Sequence, residues 1–247
     1  MYPVLFSIGG LAVYSYGVSV TLGFTVLVVV VWCEARRRGR RPQETAILLL
    51  ASLAGAAIGS RLAFILILGP SPTLLNPYSW LTSGVPHFHY LGVLVGGYAG
   101  VVITKRALGV KEMLGDPFAL GLPAMMMLVR IGCFLGGCCY GKPTSLPWAV
   151  NMHGAYRHPT QLYEWLFQAS ALIVLWRLRD RMPRPGDLLN LYYLAYVVFR
   201  FFQQFWRDDN PVVALGLTVP HFLCLGILVW LICTFLPRYR QWGIAPG

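Results

Sequence analysis

The sequence predicts an all-α polytopic membrane protein with seven transmembrane helices, its N-terminus outside and its C-terminus in the cytoplasm. Three observations carry this expectation. Of 247 residues, 57% are hydrophobic and only 12% are charged, about half the charged fraction of a soluble domain. Apolar runs long enough to cross a bilayer recur along the chain. Every second connection between those runs is basic, which is how positive charge marks a cytoplasmic face.

The spans read from the apolar runs are Leu11 to Trp32, Thr45 to Leu68, Tyr90 to Thr104, Met113 to Leu135, Gln161 to Trp176, Leu188 to Trp206 and Val219 to Leu236. The third is short and rich in glycine (Gly92, Gly96, Gly97, Gly100), a spacing that lets two helices approach closely. Residues 1–247 read as a single integral membrane domain without linker or low-complexity segment. Met1 to Gly10 has no basic region and no small-residue cleavage pattern follows, so the first span is expected to be retained.

Charge placement sets both topology and the class of partner. The connections after spans one, three and five carry Arg36, Arg37, Arg38, Arg40 and Arg41, then Lys105, Arg106 and Lys111, then Arg177, Arg179, Arg181 and Arg184. Arg238 and Arg240 follow span seven. The net charge of +11 therefore punctuates apolar runs instead of forming a basic patch interleaved with aromatics, which argues against nucleic acid and for a bilayer of anionic headgroups.

Six basic residues have no topological reason: Arg61, Arg130, Lys142, Arg157, Arg200 and Arg207. An arginine at bilayer depth costs about 2.5 to 3.5 kcal/mol on insertion scales, so Arg61, Arg130 and Arg200 call for a shared polar cavity. Most acids fall near the cytoplasmic side, and the remaining ones (Glu164, Asp208, Asp209) do not balance the arginines. An arginine cluster poor in acids and opening outward suits an anionic lipid headgroup, because the planar guanidinium fork binds phosphate oxygens in pairs. Snorkelling to the outer headgroups is the simpler account of Arg207 and Lys142.

The chemistry-bearing stretches follow from here. Val129 to Gly141 reads V-R-I-G-C-F-L-G-G-C-C-Y-G; His158 to Glu164 reads H-P-T-Q-L-Y-E, with a proline suited to a helix start. In Tyr196-Val197-Val198-Phe199-Arg200 the i, i+4 spacing puts the phenol and the guanidinium on one helix face. F-S-I-G at Phe6 to Gly9, Tyr16-Gly17 and Gly59-x-Arg61 complete the set.

Together these motifs resemble the bacterial prolipoprotein diacylglyceryl transferase family over nearly the whole chain. The resemblance implies a seven-helix inner-membrane enzyme that moves diacylglycerol from phosphatidylglycerol to the lipobox cysteine of a preprolipoprotein at the outer face, without a cofactor or metal. It implies headgroup binding by Arg130 and Arg200, with Tyr196 donating a hydrogen bond. Tyr16, Arg61, Gly132, Gly141, His158, Gln161, Tyr163 and Arg207 are the further substrate-binding candidates.

The chain departs from the family pattern R-x-G-N-F-x-N-x-E-x-x-G. Cys133 replaces the first asparagine, Gly136 the second and Cys138 the glutamate, and Leu91 stands where the family has a histidine. His89, or His87 beside it, is a candidate replacement base; an exposed loop histidine is the plainer reading. His221 reads as interfacial. Cys133, Cys138 and Cys139 leave three readings open. They are structural thiols or a disulfide, a thiolate nucleophile or lipid acceptor activated by Arg130, or zinc ligands completed by a histidine, although C-x4-C-C is not an established ligand spacing. Outside this reading stand a paralogue that uses another acceptor and a non-catalytic lipid-binding or redox membrane protein.

Overall fold

A computed structural model of the chain describes residues 1–8, 11–68, 90–109, 115–182, 184–208 and 210–240. Gly9, His87, His89, Lys111, Met113 and Asp209, each invoked above, lie outside the described residues. Among those described are seven α-helices: α1 (Ser15–Arg37), α2 (Pro42–Leu68), α3 (Tyr90–Ala107), α4 (Asp116–Gly136), α5 (Thr160–Leu178), α6 (Asp187–Gln203) and α7 (Val219–Arg240). Each coincides with an expected span to within a few residues. The fold is mostly helical rather than all-α, because three short antiparallel ribbons join or precede the helices: β1 (Val4–Ile8) with β2 (Leu11–Tyr14), β3 (Val150–Met152) with β4 (Ala155–Arg157), and β5 (Val212–Ala214) with β6 (Leu217–Thr218).

Among the described residues three helices are long and apolar enough to cross a membrane: Ser15–Arg37, Pro42–Ala63 and Asp116–Gly136. The others are shorter or carry polar stripes, and α5 and α6 show why. Thr160, Gln161, Glu164 and Gln168 recur at helical spacing on α5, all fully buried. They face α6, where Tyr192 donates to Gln168 at 3.0 Å, Tyr196 donates to Glu164 at 3.1 Å, and the Gln203 amide donates to the Thr160 carbonyl at 2.8 Å. The partners run in opposite order along the two helices, so α5 and α6 are antiparallel. Interhelical polar pairs of this kind satisfy groups that could not otherwise be buried.

The chain forms two compact units, Val31–Met113 and the pair of segments Met1–Val30 and Leu114–Gly247. In the first, α2 and α3 meet glycine to glycine. A Cβ at Gly59 would strike the Gly92 carbonyl oxygen, and one at Gly96 would strike that of Gly55. The glycine ladder is thus a packing device. Glu34, near the end of α1, accepts from Arg37 at 2.7 Å and Arg38 at 2.9 Å, which ties down part of the first basic connection.

In the second unit α4 is central, with Ala119, Leu120, Met125 and Met126 buried. Pro117 lies in its first turn, where a missing N–H costs nothing. Asp116 accepts from the backbone N–H of Gly186 (2.9 Å) and Leu188 (3.2 Å), so α4 caps the start of α6 with a carboxylate. The N-terminal ribbon docks on the far end of α4, where Tyr2 N–H donates to the Leu135 carbonyl at 3.1 Å. His221, read from the sequence as interfacial, is buried within the protein. Its Nδ1 accepts from Thr218 N–H at 3.0 Å in the first turn of α7, and its ring packs between Phe201 and Phe205.

Candidate functional site

Arg130 sits two turns before the end of α4, 6% exposed. Its Nη2 donates to Glu164 Oε1 at 2.8 Å, the same oxygen that accepts from Tyr196. Glu164, one of the few acids not assigned to the cytoplasmic side, therefore supplies Arg130 with a carboxylate partner. The charges of Arg200 and Arg207 bear on the same carboxylate. Arg200 makes its own hydrogen bond to a neutral group, the Gln203 carbonyl oxygen, at 2.8 Å. Arg130 and Arg200 together thus place two positive charges against one negative one.

Several polar atoms here are buried without a hydrogen bond among the described residues: Arg130 Nε, Glu164 Oε2, Gln161 Oε1 and both amide atoms of Gln204. Each such atom costs about 1–3 kcal/mol. A polar ligand would offset that cost, and the excess of guanidinium favours an anion.

Beyond Arg130 the helix ends in a Schellman turn. Gly137 N–H donates to the Phe134 carbonyl (3.3 Å) and Cys138 N–H to that of Cys133 (3.1 Å), with Gly137 left-handed at φ 70°. This motif brings its last residue back over the one five positions earlier, so Cys138 returns to Cys133. Cys139 is also left-handed, at φ 62°. For a residue with a Cβ that costs about 1–2 kcal/mol. Two side chains from the start of α5 hold the strained pair, Thr160 donating to the Cys139 carbonyl and Gln161 to the Cys138 carbonyl, both at 2.6 Å.

As a result, the Sγ atoms of Cys133, Cys138 and Cys139 all lie within 4.8 Å of one another. All three are free thiols. Arg130 Nη1 donates to Cys133 Sγ at 3.8 Å. Hydrogen bonds from Cys133 and Cys138 hold the Cys139 thiol well below its ordinary pKa against its burial, with the charges of Arg207 and Arg130 adding to the effect. Cys138 moves the other way. Its bond with Cys133 lowers it, but its bond with Cys139, burial and the Cys139 charge push it up to about 12.

The segment after the thiols is clamped on both sides. Gly141 N–H donates to the His158 carbonyl (3.0 Å) and Lys142 N–H to that of Trp206 (2.8 Å), while Gly141 and Arg207 form an antiparallel bridge. A Cβ on Gly141 would lie 2.7 Å from His158 O and 2.8 Å from Trp206 O, so only glycine fits. Arg157 donates to Asp208 at 2.6 Å and to the Gly141 carbonyl at 3.2 Å, which accounts for that arginine.

The structure brings Arg130, Cys133, Cys138, Tyr196, Arg200 and Arg207 into one unit. Tyr16, in the first turn of α1, is within electrostatic reach of Arg130 and all three thiols. Gly132 faces α1, where a Cβ would meet Ser19 Cβ at 2.5 Å, and Gln161 supports the cysteine turn. His158 and Tyr163 belong to a neighbouring aromatic group. Tyr163 Oη accepts from the Trp148 indole at 2.8 Å and pairs with His158 Nδ1 at 3.2 Å, while Trp206 lies 6.4 Å from both rings. Burial holds His158 below the ordinary histidine pKa. Arg61 is buried on α2 in the Val31–Met113 unit. The residue that sequence reasoning passed over is Glu164. Its signal was the last letter of H-P-T-Q-L-Y-E, one turn beyond Thr160.

The family model described as prolipoprotein diacylglyceryl transferase matches residues 3–236. The chain belongs to that family. It is accordingly a transferase, with the apolar helices of a membrane protein. A Clostridium tetani protein named phosphatidylglycerol–prolipoprotein diacylglyceryl transferase is 30% identical over 98% of this chain and 100% of its own length. Proteins of the same name from Bordetella bronchiseptica and Nitrosomonas europaea are also 30% identical, over 92% and 98% of this chain and 91% of their own lengths. Within the diacylglyceryl transferase signature, the arginine of this chain is the one that shares the Glu164 oxygen with Tyr196. Two of the positions that depart from the signature, Cys133 and Cys138, join Cys139 in the thiol cluster.

Proposed function

We propose that this protein transfers diacylglycerol from phosphatidylglycerol to the lipobox cysteine thiol of preprolipoproteins, at the outer face of a bacterial inner membrane. The reading includes seven spans with the N-terminus outside and the C-terminus in the cytoplasm. The names of its relatives support the substrates. The observation that carries the reading in this chain is the convergence of Arg130 and Tyr196 on one Glu164 oxygen, under the further charge of Arg200.

The acceptor thiol gives its proton to solvent, and the resulting thiolate attacks the glycerol methylene carbon that is esterified to phosphate. The C–O bond breaks with its electron pair going to the phosphate, and glycerol phosphate leaves. The phosphodiester carries one negative charge and the departing monoester carries two. A guanidinium beside that oxygen therefore stabilises charge that appears only as the bond breaks. Arg200 is only partly buried and hydrogen-bonded to a neutral amide, which leaves its charge available for this role. Glu164 and Tyr196 position Arg130.

The test uses detergent-purified protein with phosphatidylglycerol labelled in the glycerol backbone and a lipobox peptide. Wild type labels the cysteine peptide and not its serine counterpart, and Arg200→Ala loses most of that transfer. Background-level labelling in both proteins overturns the assignment. The two thiols at signature positions, Cys133 and Cys138, with Cys139 beside them, favour a second reading, in which the donor is the same and another thiol is the acceptor; labelling of a non-lipobox cysteine peptide at an equal rate would select it.

A further inference from the structure

The signature departures leave a cluster that the arginine site does not use. Three thiols from two turns of chain lie within 4.8 Å of one another. Sulfurs sharing a tetrahedral metal at about 2.3 Å would be about 3.8 Å apart, so each needs to move by less than an ångström. The backbone already carries the strain that this arrangement requires. Cys139 is left-handed at φ 62°, and Thr160 and Gln161 bind the carbonyls of Cys139 and Cys138. Backbone strain held by two buried side chains is characteristic of a functional turn.

The geometry points to a zinc site: Cys133, Cys138 and Cys139 bind one Zn2+ as three thiolate ligands, leaving its fourth position open to the thiol of the acceptor. Among the described residues no histidine or carboxylate joins the three sulfurs, so the described residues offer three ligands and not four. Three protein ligands with a vacant fourth position is the arrangement of catalytic zinc, whereas structural zinc is closed by four. Charge agrees with this. Zn2+ with three thiolates carries a net charge of −1, and Arg130 already donates to Cys133 Sγ at 3.8 Å. A cationic pocket that would repel a bare metal ion accommodates an anionic metal–thiolate complex.

The role of the fourth position rests on the transfer reaction proposed above. A thiol bound to zinc loses its proton to water and remains as a thiolate. Its sulfur then forms the bond to the glycerol carbon as the C–O bond breaks toward phosphate, with no change in oxidation state. The resulting thioether is a poorer zinc ligand than the thiolate and leaves. The metal thus does the work of the acid–base side chains that this chain lacks.

The test uses the full chain in detergent with a phosphine reductant. Equilibrated with Zn2+ and desalted, wild type is expected to retain about one zinc per chain, and Co2+ in its place gives an intense thiolate-to-cobalt band in the near ultraviolet. Cys138→Ser and Cys139→Ser weaken zinc binding by on the order of 100-fold, while Cys33→Ser and Cys233→Ser, at exposed thiols, leave it unchanged. A lipobox peptide shifts the visible cobalt bands, and its serine counterpart does not. Wild type that is folded and fully reduced by thiol labelling, yet holds no zinc and gives no cobalt band, overturns the site. Metal binding with cobalt bands indifferent to the cysteine peptide overturns the open position. Zinc bound as expected without transfer would instead count against the transfer reaction, and leave the metal site standing.

Discussion

Arg130 and Tyr196, from different helices, donate to the same oxygen of Glu164 at 2.8 and 3.1 Å. A fully buried carboxylate whose two donors share one atom couples those donors energetically. Removing Arg130 leaves an uncompensated buried charge, which costs about 3–5 kcal/mol; removing the Tyr196 hydroxyl costs about 1.5–3 kcal/mol, as for a hydrogen bond to a charged group. A thermal-unfolding cycle in detergent over Arg130→Met, Tyr196→Phe and the double variant should therefore be non-additive by more than about 0.5 kcal/mol. Additivity within that margin would mean that the shared oxygen does not couple them.

Arg200 offers a cleaner kinetic test than Arg130, because it is less buried and donates to a neutral side-chain amide, that of Gln203. Arg200→Lys keeps the charge but loses the planar fork. If the guanidinium meets charge that develops on the leaving phosphate, kcat falls by on the order of 10²-fold while KM for phosphatidylglycerol changes little. A rise in KM with kcat intact would assign Arg200 to ground-state headgroup binding instead.

The helices were legible because span length and basic connections are local signals, each carried by a dozen or more residues. The ribbons were not. They have two to five residues per strand, and Leu11 to Tyr14 is as apolar as the helix that follows it. The glycines of α3 were legible in kind, since their spacing indicated close packing. Glu164 was passed over for a different reason. Counting charges by side of the membrane assigns acids to surfaces, whereas the antiparallel register of α5 on α6 and the approach of α4 decide which acid meets Arg130.

His158 gives the loops around the start of α5 a pH dependence of defined sign. Tyr163 accepts from Trp148, so its own proton is free to go to His158 Nδ1, which requires a neutral ring. Burial holds the folded pKa below the unfolded value of 6.5. Stability is therefore unaffected above that value and falls as pH drops below it, because the unfolded chain protonates first. The emission of Trp148, isolated by difference against Trp148→Phe, should change over the same range, and His158→Asn should abolish both effects. A wild-type midpoint above pH 6.5 would contradict the sign.

The glycines separate into two experimental classes. At Gly59 an added Cβ meets the backbone oxygen of Gly92 and the Cα of Gly96 at 2.6 Å, and at Gly141 it meets two carbonyl oxygens. Backbone cannot move aside as a flexible side chain can, so Gly59→Ala and Gly141→Ala should each cost about 1–3 kcal/mol. Gly226, in α7, has nothing within 4 Å of the same position. There alanine removes only the conformational freedom that glycine gives the unfolded chain, and Gly226→Ala should stabilise by up to about 1 kcal/mol. Thermal unfolding of the three variants in one detergent decides the matter: the first two midpoints move down and the third moves up. Since Gly141 follows the cysteine turn directly, Gly141→Ala should also lower zinc retention, while Gly59→Ala leaves it unchanged.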